Sequence, residues 1–382
     1  MQLQRATSSA VTASLSLYLD VVRLLAAMLV ALGHAYTFTG GHFKLLAGHG
    51  TTAVSVFFVL SGFVIAFVTE KKERNGMDYL VSRLARMYSV ALPAIAITIA
   101  ADYIGYSADN RPYLGLLPNT LAGFKTDYLN LTWSVDEILR LITFTNELWT
   151  SHIQVGSGEP YWSLGFEVWY YIIFGLYHFG PGPKSSRVTL SFIAAIIAGP
   201  KICAYFPLWL MGVYCYRRMT SPTPPLSTLP TWSVVALFLA TPIIYLGVRH
   251  QMAPMSQSMF RHEDLSLTVI SSVAYFHIVG IVFCLNLVAF QQITTRLRKL
   301  ETAITKYKKP IQWLAGATFT LYLIHQPILL MFLAINPLKE QPDMWAYTSF
   351  SATVFLVFVI AQFTERKKDL WKRFFSSLLR RT

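Results

Sequence analysis

Charge is scarce in this sequence. Only 13% of its 382 residues are Asp, Glu, Lys or Arg, against 54% that are hydrophobic, and the mean hydropathy is +0.45. A soluble domain carries roughly a quarter charged residues, so no water-soluble surface can be built here and no soluble catalytic module is left over. Cysteine is almost absent: Cys203, Cys215 and Cys284 all lie in apolar runs, with neither a disulfide framework nor metal-ligand spacing. The first apolar stretch has no small-residue cleavage pattern and exceeds signal-peptide length, so it reads as a retained helix. Internal repeats, low-complexity tracts and the short Gly-x-Ser-x-Gly elbow of soluble hydrolases are missing too. The net charge of +13 is not a nucleic-acid signature, because the bases cluster between apolar runs without an accompanying motif.

Long apolar runs are what the chain has. A crossing of the hydrocarbon core needs roughly twenty such residues, which places spans at about 17–38, 51–69, 87–104, 160–180, 188–204, 205–216, 231–248, 265–290, 311–334 and 344–363. The expected fold is an all-α integral membrane bundle of about ten transmembrane helices. Gly199, Pro200 and Pro207 predict a break between the fifth and sixth. Alternate connections carry the bases: Lys71 to Arg86, Lys184 and Arg187, Arg217 and Arg218, Arg296 to Lys309, and Arg366 to Arg381. By the positive-inside rule these are cytoplasmic, as are both termini. The domains are then a cytoplasmic segment 1–16, a membrane domain 17–363 and a basic amphipathic tail 364–382, suited to an anionic leaflet. Segment 105–159 is the longest external region, with a re-entrant or interfacial helix expected over 138–149.

Ionisable residues inside spans are costly unless paired or wetted, so each one marks a candidate site. In LYLDVVRLLAAMLVALGHAY, Arg23 and His34 are eleven residues apart, about three turns, and share a helix face. Asp20 can pair with Arg23 one turn away. An interfacial anchor and a satisfied interhelical histidine explain the same residues. Ser61 and Gly62 suit close helix packing, and Ser61 is a nucleophile only beside a base. Arg83 and Arg86 share a face and suit phosphate recognition, although lipid headgroups or topology account for them equally. Glu167 sits among aromatics and can orient a histidine or carry a proton. His325, just before Pro327, reads as a second histidine or as a hydrogen bonder at a proline-relaxed turn. His42 and His49 lack a further ligand, so no metal is expected.

LDVVRLLAAMLVALGH, FFVLSGFVI, SRLARMY, YWSLGFEVWYY and TLYLIHQP, in this order, resemble the motifs of the membrane acyltransferase family 3, across nearly the whole chain. That resemblance implies transfer of an acyl group, usually acetyl, from acyl-CoA on the cytoplasmic side to a hydroxyl of a sugar or glycan acceptor. The setting it implies is the bacterial inner membrane, and acyl-CoA is then a co-substrate, with no bound cofactor. His34 matches the family's essential histidine and Glu167 the acid of the WSL motif; Arg23, Arg83, Arg86 and Ser61 form the donor-binding set. Trp162, Tyr322 and His325 make an additional candidate site. Ser55 stands where the family often has an acid, and Val168 follows Glu167 where a second acid is common. His34 acts either as base or as acyl relay. The rival reading is a transporter or exporter of an anionic or lipid-linked sugar. Expected partners are acyl-CoA, the acceptor and membrane lipids, without nucleic acid. For the acceptor, aromatic and polar residues of segments 105–159 and 249–264 are candidates: Tyr113, Trp133, Trp149, Arg261 and His262.

Overall fold

A computed structural model describes residues 11–44, 48–114, 134–252 and 267–379, with side chains left undescribed at 51 and 267–271. Lys125, Trp133, Arg261, His262, segment 1–10 and Arg380 and Arg381 lie outside it. Every regular element among the described residues is a helix: α1 (Ala13–Phe38), α2 (Gly50–Lys71), α3 (Gly76–Ala108), α4 (Val135–Ile142), α5 (Trp162–Phe179), α6 (Lys184–Ala198), α7 (Pro200–Met219), α8 (Thr231–Met252), α9 (Leu267–Arg296), α10 (Arg298–Thr305), α11 (Lys308–Ala315), α12 (Thr318–Ile335), α13 (Pro342–Ala361) and α14 (Lys368–Leu379), with short 3₁₀ turns at Glu159–Tyr161 and Glu365–Lys367. Among the described residues, seven helices are long and apolar enough to cross a membrane: α1, α2, α3, α8, α9, α12 and α13. The other regions read as spans in the sequence are shorter or less apolar. With 15 residues, α6 rises roughly 22 Å, short of a hydrocarbon core about 30 Å thick. Lys201, Arg217 and Arg218 load α7 with charge, and α5 is diluted by Trp, Tyr and Glu167.

The chain divides into two compact units. The first comprises Met1–Leu24, Val54–Lys72 and Ala204–Ala315. Here α2 and α7 meet backbone to backbone. A Cβ at Gly62 would fall 2.0 Å from the Trp209 carbonyl oxygen, and one at Gly212 2.0 Å from that of Val59. Small residues permit this approach, and close packing supplies attraction that lipid-facing apolar surface does not. Trp209 Nε1 then donates to Ser61 Oγ at 3.1 Å. α8 lies along α9 around buried Val234, Ala289 and Ile293.

The second unit comprises Leu25–Ala53, Glu73–Cys203 and Gly316–Thr382. Its centre is α12, packed on α3 and α13, while α5 pairs with α6 and α14 lies on α3. The span read over 87–104 lies inside a longer helix: α3 starts at Gly76, where Asn75 caps it by accepting from the Asp78 N–H at 2.9 Å. Arg83 and Arg86 therefore sit within a 33-residue helix and not at its mouth. α12 starts at Thr318, later than the expected 311, and its first turn is capped from afar: Glu365 accepts from the Phe319 and Thr320 N–H groups, both at 3.0 Å. The break between α6 and α7 falls at Gly199, with φ +88° and Cβ space closed by Trp149 Cα at 2.7 Å, so only glycine fits. In segment 105–159 the helix is α4, ended near Thr143, followed by left-handed Phe144 and Trp149 at φ 55° and 54°. A capping box of Ser134 and Glu137 starts it.

Candidate active site

The polar residues of the second unit converge on α12. His325 is 1% exposed, and its Nδ1 lies 2.9 Å from the Leu321 carbonyl oxygen one turn back. A carbonyl only accepts, so His325 Nδ1 carries the hydrogen. In the neutral ring Nε2 is then a lone pair, and it faces His34 Nδ1 at 3.1 Å. His34 must donate across that contact, which leaves its own lone pair on Nε2. The rings are tilted by 36° with centroids 5.0 Å apart, and Phe38 closes the edge of His34 at 6.4 Å. Leu321 O, His325 and His34 thus form a hydrogen-bonded series that selects one tautomer of His34, as a buried acceptor does behind a catalytic histidine.

Gln326, next to His325 and also 1% exposed, faces His34 on one side and Glu159 on the other. Tyr322, a turn before it, faces Ser163 of α5 and lies within electrostatic reach of Glu159 and Glu167. Trp162, at the start of α5, packs edge-on against Phe166 at 5.1 Å.

Glu167 is not among the partners of His34. It accepts from the Tyr171 hydroxyl one turn along α5 and lies in the field of Arg86, which also faces Tyr171 and Glu365. The Arg86 guanidinium sits over the Phe319 ring at 5.4 Å. Arg83, 8% exposed, pairs with Glu73 and lies between the rings of Tyr79 at 5.2 Å and Tyr171 at 5.6 Å. The Nε atoms of both arginines are buried without a hydrogen-bond partner among the described residues. Beside Arg83, a cavity of about 460 Å³ opens between α3 and α5, lined by Tyr79, Met87, Tyr88, Phe144 and Leu176.

Two sequence-read site residues belong to the first unit. Arg23 pairs with Asp20 at 3.5 Å, one turn away on α1. Ser61 takes the Trp209 indole hydrogen in the α2–α7 contact. The second unit brings together His34 with His325, and Arg86 with Glu167. Glu159 and Gln326 were not read from the sequence; Gln326 follows His325 directly, and Glu159 is separated from YWSL by Pro160 alone, so only the motif neighbourhood signalled them.

A helical chain with several membrane-crossing helices, an imidazole pair made by His34 and the buried His325, and two arginines cushioned on aromatic rings is a polytopic membrane protein. Residues 16–363 match the family described as "Acyltransferase domain", and the chain belongs to that family. It is 26% identical over 174 residues to the exopolysaccharide production protein ExoZ of Rhizobium meliloti (strain 1021), a match spanning 44% of this chain and 45% of that protein. No solved structure matches the chain.

Proposed function

We propose that this protein moves an acyl group, acetyl by preference, from acyl-CoA on the cytoplasmic side to a hydroxyl of a sugar or glycan, with His34 Nε2 as general base. About ten spans with both termini inside a bacterial inner membrane are the setting of that reading. The single observation that carries it is the Leu321–His325–His34 series, which leaves a lone pair on a half-buried imidazole of a chain in an acyltransferase family. The exopolysaccharide role in the relative's name favours a glycan acceptor.

The chemistry balances around that nitrogen. The acceptor hydroxyl gives its proton to His34 Nε2 as its oxygen attacks the thioester carbonyl carbon. The C–S bond breaks, and the departing thiolate takes the proton back from the imidazolium. A positioned base of this kind contributes on the order of 10²- to 10⁴-fold. Arg83 and Arg86, with planar donor forks and aromatic cushions, bind phosphates of the donor. Glu167 acts on Arg86 through its charge.

The test is acetyl transfer by purified protein supplied with labelled acetyl-CoA and cell-surface glycan. His34→Ala is expected to abolish transfer while leaving the protein folded. Retention of full transfer would refute the assignment of the base. Label trapped on the wild type and lost in His34→Ala would mark an acyl-histidine route and overturn the direct transfer written here.

A further inference from the structure

Gln326 presents a chemical imbalance. Its side chain is buried between His34 and Glu159, yet its Oε1 has no hydrogen-bond partner among the described residues. An acceptor stranded in this way is destabilising, and such a cost persists where another state of the molecule satisfies the group. The neutral His34 offers nothing to Oε1, because its one N–H points to His325. The imidazolium offers a second N–H, on Nε2.

Glu159 is placed for the other end of the amide. It opens the 3₁₀ turn Glu159–Tyr161, which packs on α12 and carries Pro160 in its first turn. Two residues earlier Ser157 is pinned to the fully buried Asp102 of α3, with its N–H donating to Oδ2 at 2.8 Å and its hydroxyl to Oδ1 at 2.5 Å. The titratable groups facing Glu159 are His152 and Tyr322. His152 is in turn held by Glu147 through Nδ1 at 2.9 Å, and Glu147 by Lys201. Burial pushes the Glu159 carboxyl above its ordinary range, with Gln326 and His152 acting against the shift.

We propose that Gln326 and Glu159 are positioning residues for the imidazolium: Gln326 Oε1 receives the Nε2–H that His34 gains from the acceptor, and the Glu159 carboxylate holds and polarises the Gln326 amide. This rests on His34 as the base. The only proton that moves is the one passed from acceptor to His34 and on to the leaving thiolate; Glu159 remains a carboxylate. Carboxylate–amide–imidazole support of this type acts on the charged intermediate and not on donor affinity.

Glu159→Gln is expected to lower kcat by about 10- to 100-fold, the usual scale for outer-shell partners, with the acetyl-CoA KM unchanged. It also shifts the acidic limb of the pH–rate profile, which protonation of His34 and of the raised Glu159 carboxyl set together. Gln326→Leu is expected to lower kcat similarly, and the double variant to be no worse than the weaker single, since the two act through one contact. If Glu159→Gln does not fold, Gln326→Asn reads the same contact by withdrawing the amide. Wild-type kcat and pH profile in folded Glu159→Gln or Gln326→Asn, or losses that multiply in the double variant, overturn the inference. His34→Ala run alongside separates the levels. An inactive His34→Ala beside a normal Glu159→Gln sinks only this inference, whereas an active His34→Ala sinks the base itself.

Discussion

Replacing His325 with leucine isolates the tautomer argument. The imidazole of His325 takes the Nδ1–H of His34 at 3.1 Å and is itself fixed by Leu321 O at 2.9 Å. Leucine fills part of the volume but accepts nothing, so His34 is left with a buried N–H and no partner. The penalty is about 1–3 kcal/mol. His34 escapes it by adopting the other tautomer, with the hydrogen on Nε2, where it no longer serves as base. If that penalty enters the barrier in full, kcat falls by about 5- to 150-fold, with donor KM unchanged because His325 meets His34 and not the arginines. His325→Gln returns an acceptor oxygen and recovers part of the loss. The assay is steady-state transfer at saturating glycan across acetyl-CoA concentrations, with thermal unfolding of the purified protein as the check on folding. A folded His325→Leu with full kcat refutes the reasoning, and so does a defect confined to donor KM.

Arg86→Lys keeps the charge but loses the planar fork over Phe319, so acetyl-CoA KM should rise by about tenfold with a smaller change in kcat; an unchanged KM removes Arg86 from donor binding. Glu365→Ala uncaps the Phe319 and Thr320 N–H groups at the head of α12 and should cost about 0.5–2 kcal/mol, read as a lower unfolding temperature. An unchanged unfolding temperature would show that cap to be idle. Arg111 and Lys339 hold the Asp109 carboxyl well below the usual carboxylate range. The stabilisation from that depressed value is present above the unfolded pKa of about 3.9 and is lost as pH falls towards the folded one. Asp109→Asn should therefore flatten the acid side of an unfolding-temperature profile and leave the neutral side parallel to the wild type.

The membrane character was legible because it depends on composition and run length, properties that no tertiary contact can reverse. Helix ends were less so, and for identifiable reasons. The start of α3 was hidden because a polar first turn after Asn75 looks like a loop until its cap is seen. The start of α12 was hidden because its capping carboxylate, Glu365, comes from 45 or more positions away. No local pattern can announce such a cap. The placing of the break near Gly199 was readable from glycine beside proline, while its cause, the Trp149 backbone filling the Cβ position, is tertiary.

The site divides along the same line. His34, Arg83, Arg86, Glu167 and His325 were visible because a polar residue in an apolar run is conspicuous wherever its partner lies. Pairing is what such conspicuousness cannot convey. His34 and His325 stand 291 positions apart, and the sequence made Glu167 the natural orienter of His34 because it is the acid of the WSL motif. In the folded chain Glu167 answers Tyr171 and Arg86 instead. The carboxyl that Gln326 links to His34 is Glu159, in a turn that periodicity does not mark as part of a span. The division has a chemical consequence. A carboxylate in direct contact with His34 would hold it as an ion pair, raising its basicity but opposing release of the proton to a thiolate. A neutral imidazole behind it, with a carboxylate one amide removed, fixes the lone pair while keeping the imidazolium acidic enough to give the proton back. In the proposed transfer both events fall within one turnover, and the His325 arrangement serves both.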